Sequence, residues 1–114
     1  MKHEEPFLKH ILDEISFLLK ETNGLRFEEF MQNEVLKRAC SRSLEIIGEA
    51  SRSIPEELRN QYKDIPWKRM AGMRDKLIHG YFGVDYESVW AVATERISEI
   101  KHPLEKMIKE QSGK

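Results

Sequence analysis

Arg74-Asp75-Lys76-Leu77-Ile78-His79-Gly80-Tyr81-Phe82 gathers an arginine, an acid, a histidine and a tyrosine within nine residues. No other segment brings together so many groups able to handle phosphate and protons. The arginine offers a permanent planar fork suited to a phosphate, or to charge developing on one. The histidine stands at the end of a helix that Gly80 is expected to terminate, beside unpaired carbonyls and the negative end of the helix dipole. Those surroundings favour its protonated form and poise it to donate or accept a proton near neutral pH. Together the two side chains form a minimal apparatus for breaking a phosphodiester without a metal. The 2′-hydroxyl of RNA would be the internal nucleophile, His79 a general base or acid, and Arg74 the clamp on the crowded phosphorus. Tyr81 would orient the phosphate, donate a hydrogen bond, or carry a modification that shuts the site. One histidine does not easily serve as acid and base at once, so a second copy from a symmetry mate would help.

Spacing qualifies this picture. Arg74 and His79 are five residues apart, about 140° around a straight helix, so they do not stack. Arg74 and Tyr81 would share nearly one stripe if the helix continued. Gly80 is expected to turn the chain instead, letting His79 and Tyr81 lean back over the last turn. The competing reading is that an arginine and a histidine near a helix C-terminus are ordinary capping residues.

The charge distribution points to the same end of the chain. Overall, 34% of residues are charged but the signs nearly cancel, to a net −1, which gives no support to nucleic-acid binding. Residues 1–34 hold four cations against eight acids, whereas residues 59–76 hold six cations against Asp64 and Asp75. The basic stretch runs into Arg74, where it could draw an anion or form a solvated face.

The positioning elements are helical throughout. With 114 residues and 39% hydrophobic content, the chain reads as one domain, residues 1–114, burying roughly two-thirds of its unfolded surface. Phe7, Leu8, Ile11, Leu12, Ile15, Leu18 and Leu19 form a helical stripe, stopped by Asn23-Gly24. A second helix is expected over Phe27 to Ser53, with Gly48 permitting close approach of a neighbour. Pro55 to Tyr62 could form a short extra turn. A third helix is expected from Asp64 or Ile65, with Trp67, Met70, Ala71, Arg74, Leu77 and Ile78 on its inner side and Gly80 and Gly83 closing it. Asp85 suits the N-cap of the last helix, and Pro103 within it should kink or break it. The expected fold is all-α: an up-and-down bundle of four main helices with a short extra helix.

Smaller features narrow the function. Cys40 is the only cysteine, so no internal disulfide forms, and it sits where a thiol acts as a small buried hydrophobe. His3, His10 and His102 lack partners at metal-ligand spacing and are expected at the surface. Neither a metal nor a cofactor is expected. Charges at Lys2, Glu4 and Glu5 replace the apolar run of a signal peptide, and no segment approaches a membrane span, so a soluble cytoplasmic protein is expected. Glu49 could hydrogen-bond Arg74 from the facing helix. Trp67 and Trp90 read as core or interface anchors rather than base-stacking platforms.

The segment resembles the HEPN superfamily, specifically its HepT-like branch, whose signature is Arg-x4-His-x-Tyr. Ile46-Ile47-Gly48-Glu49-Ala50, Ile65-Pro66-Trp67, Gly72-Met73-Arg74-Asp75 and Val84-Asp85-Tyr86-Glu87-Ser88-Val89-Trp90 also look like that branch, in the right order. The resemblance spans about residues 5–108. Where many relatives have asparagine after the arginine, this chain has Asp75. The resemblance implies a HEPN-type helical bundle and a homodimer in which two motifs face each other across a cleft. It implies a metal-independent endoribonuclease acting on RNA, with Arg74 and His79 catalytic and Asp75 supporting. It further implies a toxin–antitoxin pair with an MNT-type nucleotidyltransferase antitoxin, which in some pairs transfers AMP to the motif tyrosine, here Tyr81. The alternative is a non-catalytic nucleotide-binding or accessory subunit of a minimal nucleotidyltransferase.

Overall fold

Apolar side chains at three- and four-residue spacing build the long helices and decide how they meet. The computed structural model describes residues 5–78 and 83–113. Helix α1 (Glu5–Thr22) buries Leu8, Ile11, Ile15 and Leu18 along one stripe. Gly24, with φ of +77°, then turns the chain. Helix α3 (Glu34–Arg52) faces α1 with Leu36, Cys40, Leu44 and Ile47 buried, and the Ser43 hydroxyl donates to the Glu14 carbonyl at 3.3 Å. Helix α8 (Ile97–Ser112) closes the other flank of α1 with Ile97, Ile100, Leu104 and Met107. Each fully buried leucine or isoleucine here contributes about 1.5–3 kcal/mol relative to exposure.

The fold is all-α, and among the described residues the one extended pairing is an isolated antiparallel bridge between Ile78 and Val84. The main helices are more interrupted than expected. The helix expected over Phe27 to Ser53 is split into α2 (Phe27–Gln32) and α3, because Asn33 is extended and its Oδ1 accepts from the Leu36 N–H at 3.0 Å. The break lets α2 bury Phe30 against Trp90, with ring centroids 5.0 Å apart. The expected extra turn is α4 (Glu56–Gln61).

The third helix is also split, into α5 (Trp67–Ala71) and α6 (Met73–Leu77), with Gly72 between them. The fourth begins as α7 (Tyr86–Ala91), where Asp85 is the expected N-cap, its carboxylate accepting from the Ser88 N–H at 3.1 Å. It passes through a π-helical turn, Val92–Arg96, into α8. No break occurs at Pro103, which lies inside α8 with Leu104 and Met107 fully buried just beyond it. Among the described residues, no helix is long and apolar enough to cross a membrane.

Candidate active site

Gly48 decides where the Arg74 segment lies. A Cβ there would come to 3.0 Å from the Met70 carbonyl oxygen and 3.6 Å from that of Ala71, so glycine lets the end of α5 rest on α3 without a backbone shift of a few tenths of an ångström. This is the close approach expected from the sequence. Buried Met70, Met73 and Leu77 then pin α5 and α6 from within. The chain thus arrives at Arg74 directly above the charged side of α3.

Arg74 Nε lies 3.4 Å from Glu45 Oε2, an ion pair between a side chain 52% exposed and one 22% exposed. An arginine held at Nε retains its terminal nitrogens as a fork for a second acceptor such as phosphate. Glu45 is itself 3.8 Å from Arg42 Nη1, and the same nitrogen is 3.5 Å from Glu49 Oε1. A chain of alternating charge therefore runs Arg74–Glu45–Arg42–Glu49. Asp75 turns the other way, to Arg52 Nη2 at 3.5 Å. That pair is well exposed and contributes only about 0–1 kcal/mol, enough to bias orientation rather than to hold the fold.

Three expectations need correction. Arg74 does not share the inner side of its helix with Met70 and Leu77; it is exposed and held by charge. Its partner is Glu45 rather than Glu49, one helical turn away, because the α5 terminus seated on Gly48 directs Arg74 toward the N-terminal part of α3. Finally, the helix ends at Leu77, before Gly80. Ile78 is extended, with φ −112° and ψ 115°, and bridges to Val84, while the Asp85 N–H donates to the Leu77 carbonyl at 2.8 Å. Gly83, with φ of +94°, supplies the left-handed turn that this pairing requires. The angle drawn between Arg74 and His79 on a continuous helix therefore does not apply.

His79, Gly80, Tyr81 and Phe82 lie outside the described residues, as does His3. Their flanks, Ile78 and Val84, are paired with each other beside the end of α6.

Glu45 and Arg42 are the site residues that sequence reasoning missed. The one signal was that Glu45 and Glu49 stand four residues apart, on one face of α3. The other singled-out residues are structural. Trp67 is buried and its Nε1 donates to the Tyr62 carbonyl at 3.0 Å, while Trp90 packs on Phe27 and Phe30. Burial, and then the nearby Glu21 charge, push the Cys40 thiol up to about 11, which suits a core residue and not a nucleophile. His10 and His102 are exposed.

The family described as Ribonuclease HepT-like matches residues 11–107. A protein of Caldanaerobacter subterraneus named "Putative RNase" is 50% identical over 110 residues, covering 96% of this chain and 95% of its own. Another of the same description, from Methanocaldococcus jannaschii, is 49% identical over 108 residues, covering 95% and 89%. The "Probable ribonuclease HepT" of Thermococcus cleftensis is 40% identical over 108 residues, covering 95% and 98%. No solved structure matches. With an arginine presented by α6 and a family match over residues 11–107, the chain belongs to the ribonuclease HepT-like family.

Proposed function

We propose that the protein is a metal-independent endoribonuclease and the toxin of a pair whose antitoxin is an MNT-type nucleotidyltransferase. The observation that carries the reading is Arg74, exposed on α6 and anchored through Nε to Glu45, in a chain of this family. Its terminal edge, unpaired among the described residues, is suited to the non-bridging oxygens of a phosphodiester.

In the proposed reaction His79 takes the proton from a ribose 2′-hydroxyl, and the 2′-oxygen attacks the adjacent phosphorus. The bond to the 5′-oxygen breaks as that oxygen gains a proton. The products are a 2′,3′-cyclic phosphate and a 5′-hydroxyl. Arg74 stabilises the charge on phosphorus. His79 of a second copy would serve as the acid, so the active species is a homodimer with two motifs across one cleft. Asp75, paired with Arg52, supports the orientation of α6. Control would come at Tyr81: its hydroxyl attacks the α-phosphorus of ATP on the antitoxin, pyrophosphate leaves, and the attached AMP fills the site.

The test is expression of this chain with and without the nucleotidyltransferase, followed by mass measurement. Growth arrest by the chain alone, relieved by the partner together with a mass gain of one AMP lost in Tyr81→Phe, is expected. A tight complex with the partner, but no arrest and no RNA turnover by the chain alone, would turn the assignment to an accessory subunit.

A further inference from the structure

Beyond Arg74, α4 and α5 enclose an open groove of about 930 Å³, and its walls are basic. Arg59, Lys63, Lys68 and Arg69 line it against a single lining carboxylate, Glu56. Elsewhere, among the described residues, Lys20, Lys76, Arg96, Lys101, Lys106 and Lys109 stand without a carboxylate at ion-pair distance, whereas Arg26, Lys37, Arg38, Arg42, Arg52 and Arg74 each face one. None of the four groove cations does so among the described residues. Arg59 Nε is, in addition, buried without a hydrogen-bond partner, so this guanidinium has no fixed acceptor inside the fold. The field left uncancelled on this face is therefore positive and local.

The floor is of a different kind. Ile65, Pro66 and Trp67 line it, Pro66 part-exposed and Ile65 and Trp67 showing only their edges, at 2% and 6% exposure. The Tyr62 hydroxyl donates to Glu110 at 2.9 Å and accepts from Gln111 at 2.9 Å, tying the α4–α5 corner to α8. Burial raises the Tyr62 pKa. Ala71 lines the groove and precedes Arg74 by three residues, which limits their Cα separation to about 11 Å. One end of the groove therefore lies within that distance of the Arg74 backbone.

We infer that this groove is a track for single-stranded RNA, with Arg59, Lys63, Lys68 and Arg69 on its phosphates and unpaired bases or sugars over the apolar floor. The assignment rests on the ribonuclease reading above for the identity of the polyanion. A cationic rim over an apolar floor is the arrangement that holds a single strand without reading its sequence.

The test measures anisotropy of a labelled 20-nucleotide single-stranded RNA across a salt series, in EDTA and in the His79→Ala background so that no substrate is consumed. Lys63→Gln/Lys68→Gln/Arg69→Gln removes three exposed charges, so the fold is retained. Affinity at low salt should fall at least tenfold, and the slope of log affinity against log salt should flatten by about 2, from roughly 0.7 per phosphate contact. Lys106→Gln/Lys109→Gln, on α8, should stay within twofold. Unchanged affinity and slope in the triple variant, while the chain with His79 intact cleaves RNA, would overturn the groove and leave the ribonuclease standing. Weakened binding in the triple variant, with no cleavage by the unsubstituted chain, would keep the groove and overturn the ribonuclease.

Discussion

Helix α3 keeps different company on its two sides. Toward α1 it presents Cys40, Leu44 and Ile47, all buried, and the two helices meet through many small apolar contacts. Toward α5 and α6 it presents Glu45, Gly48 and Arg52, and beside the buried Met70, Met73 and Leu77 the meeting uses one close backbone approach and two ion pairs. The first side sets stability, because each buried side chain adds its own transfer free energy. On the second side, the polar contacts set where Arg74 stands. Stability and the proposed chemistry thus draw on different faces of one helix, and substitutions should separate them.

The sharpest separation is Arg74→Ala. The cleavage rate should fall about a thousandfold, close to 4 kcal/mol of transition-state stabilisation, as for removal of a preorganised charge donor. Urea denaturation should move by less than about 1 kcal/mol, since Glu45 retains Arg42 nearby. Comparable losses in both readouts would break the comparison.

Ile47→Ala is the converse experiment on the apolar side. Ile47 is fully buried, so a loss of about 3 kcal/mol in unfolding free energy is expected, with activity per folded molecule preserved. Gly48→Leu sits between the two. Pressing a side chain against the Met70 carbonyl should cost about 2 kcal/mol and also displace Arg74, so stability and rate should fall together. The smallest effect sharpens the register. Glu45→Gln should slow cleavage about tenfold, roughly 1.4 kcal/mol, whereas Glu49→Gln, which touches Arg42 and not Arg74, should change it less than twofold. A reversed order would place Arg74 one turn further along α3.

The same contrast explains what could be read from the sequence. The helical stripes, the close approach at Gly48, the Asp85 cap and the buried Cys40 follow from local rules of spacing and side-chain type, and they were legible. The interruptions at Asn33 and Gly72 were less so. Asn33 falls within an otherwise helical pattern, and its capping geometry matters because Phe30 turns inward against Trp90, a contact sixty residues away in the chain. The choice between Glu45 and Glu49 was beyond local rules, since both share one face of α3 and only tertiary register selects between them. The end of the helix at Leu77 likewise follows from pairing of Ile78 with Val84 across the intervening segment. For His79 and Tyr81, the assignment of chemistry comes from residue type, spacing and family.

The most direct measurement is RNA cleavage in EDTA by the unsubstituted protein and by His79→Ala, both verified as folded, with the product ends identified. The account predicts 2′,3′-cyclic phosphate and 5′-hydroxyl ends from the first and none from the second. Equal cleavage by the two, or activity that appears only when a divalent cation is restored, would contradict it.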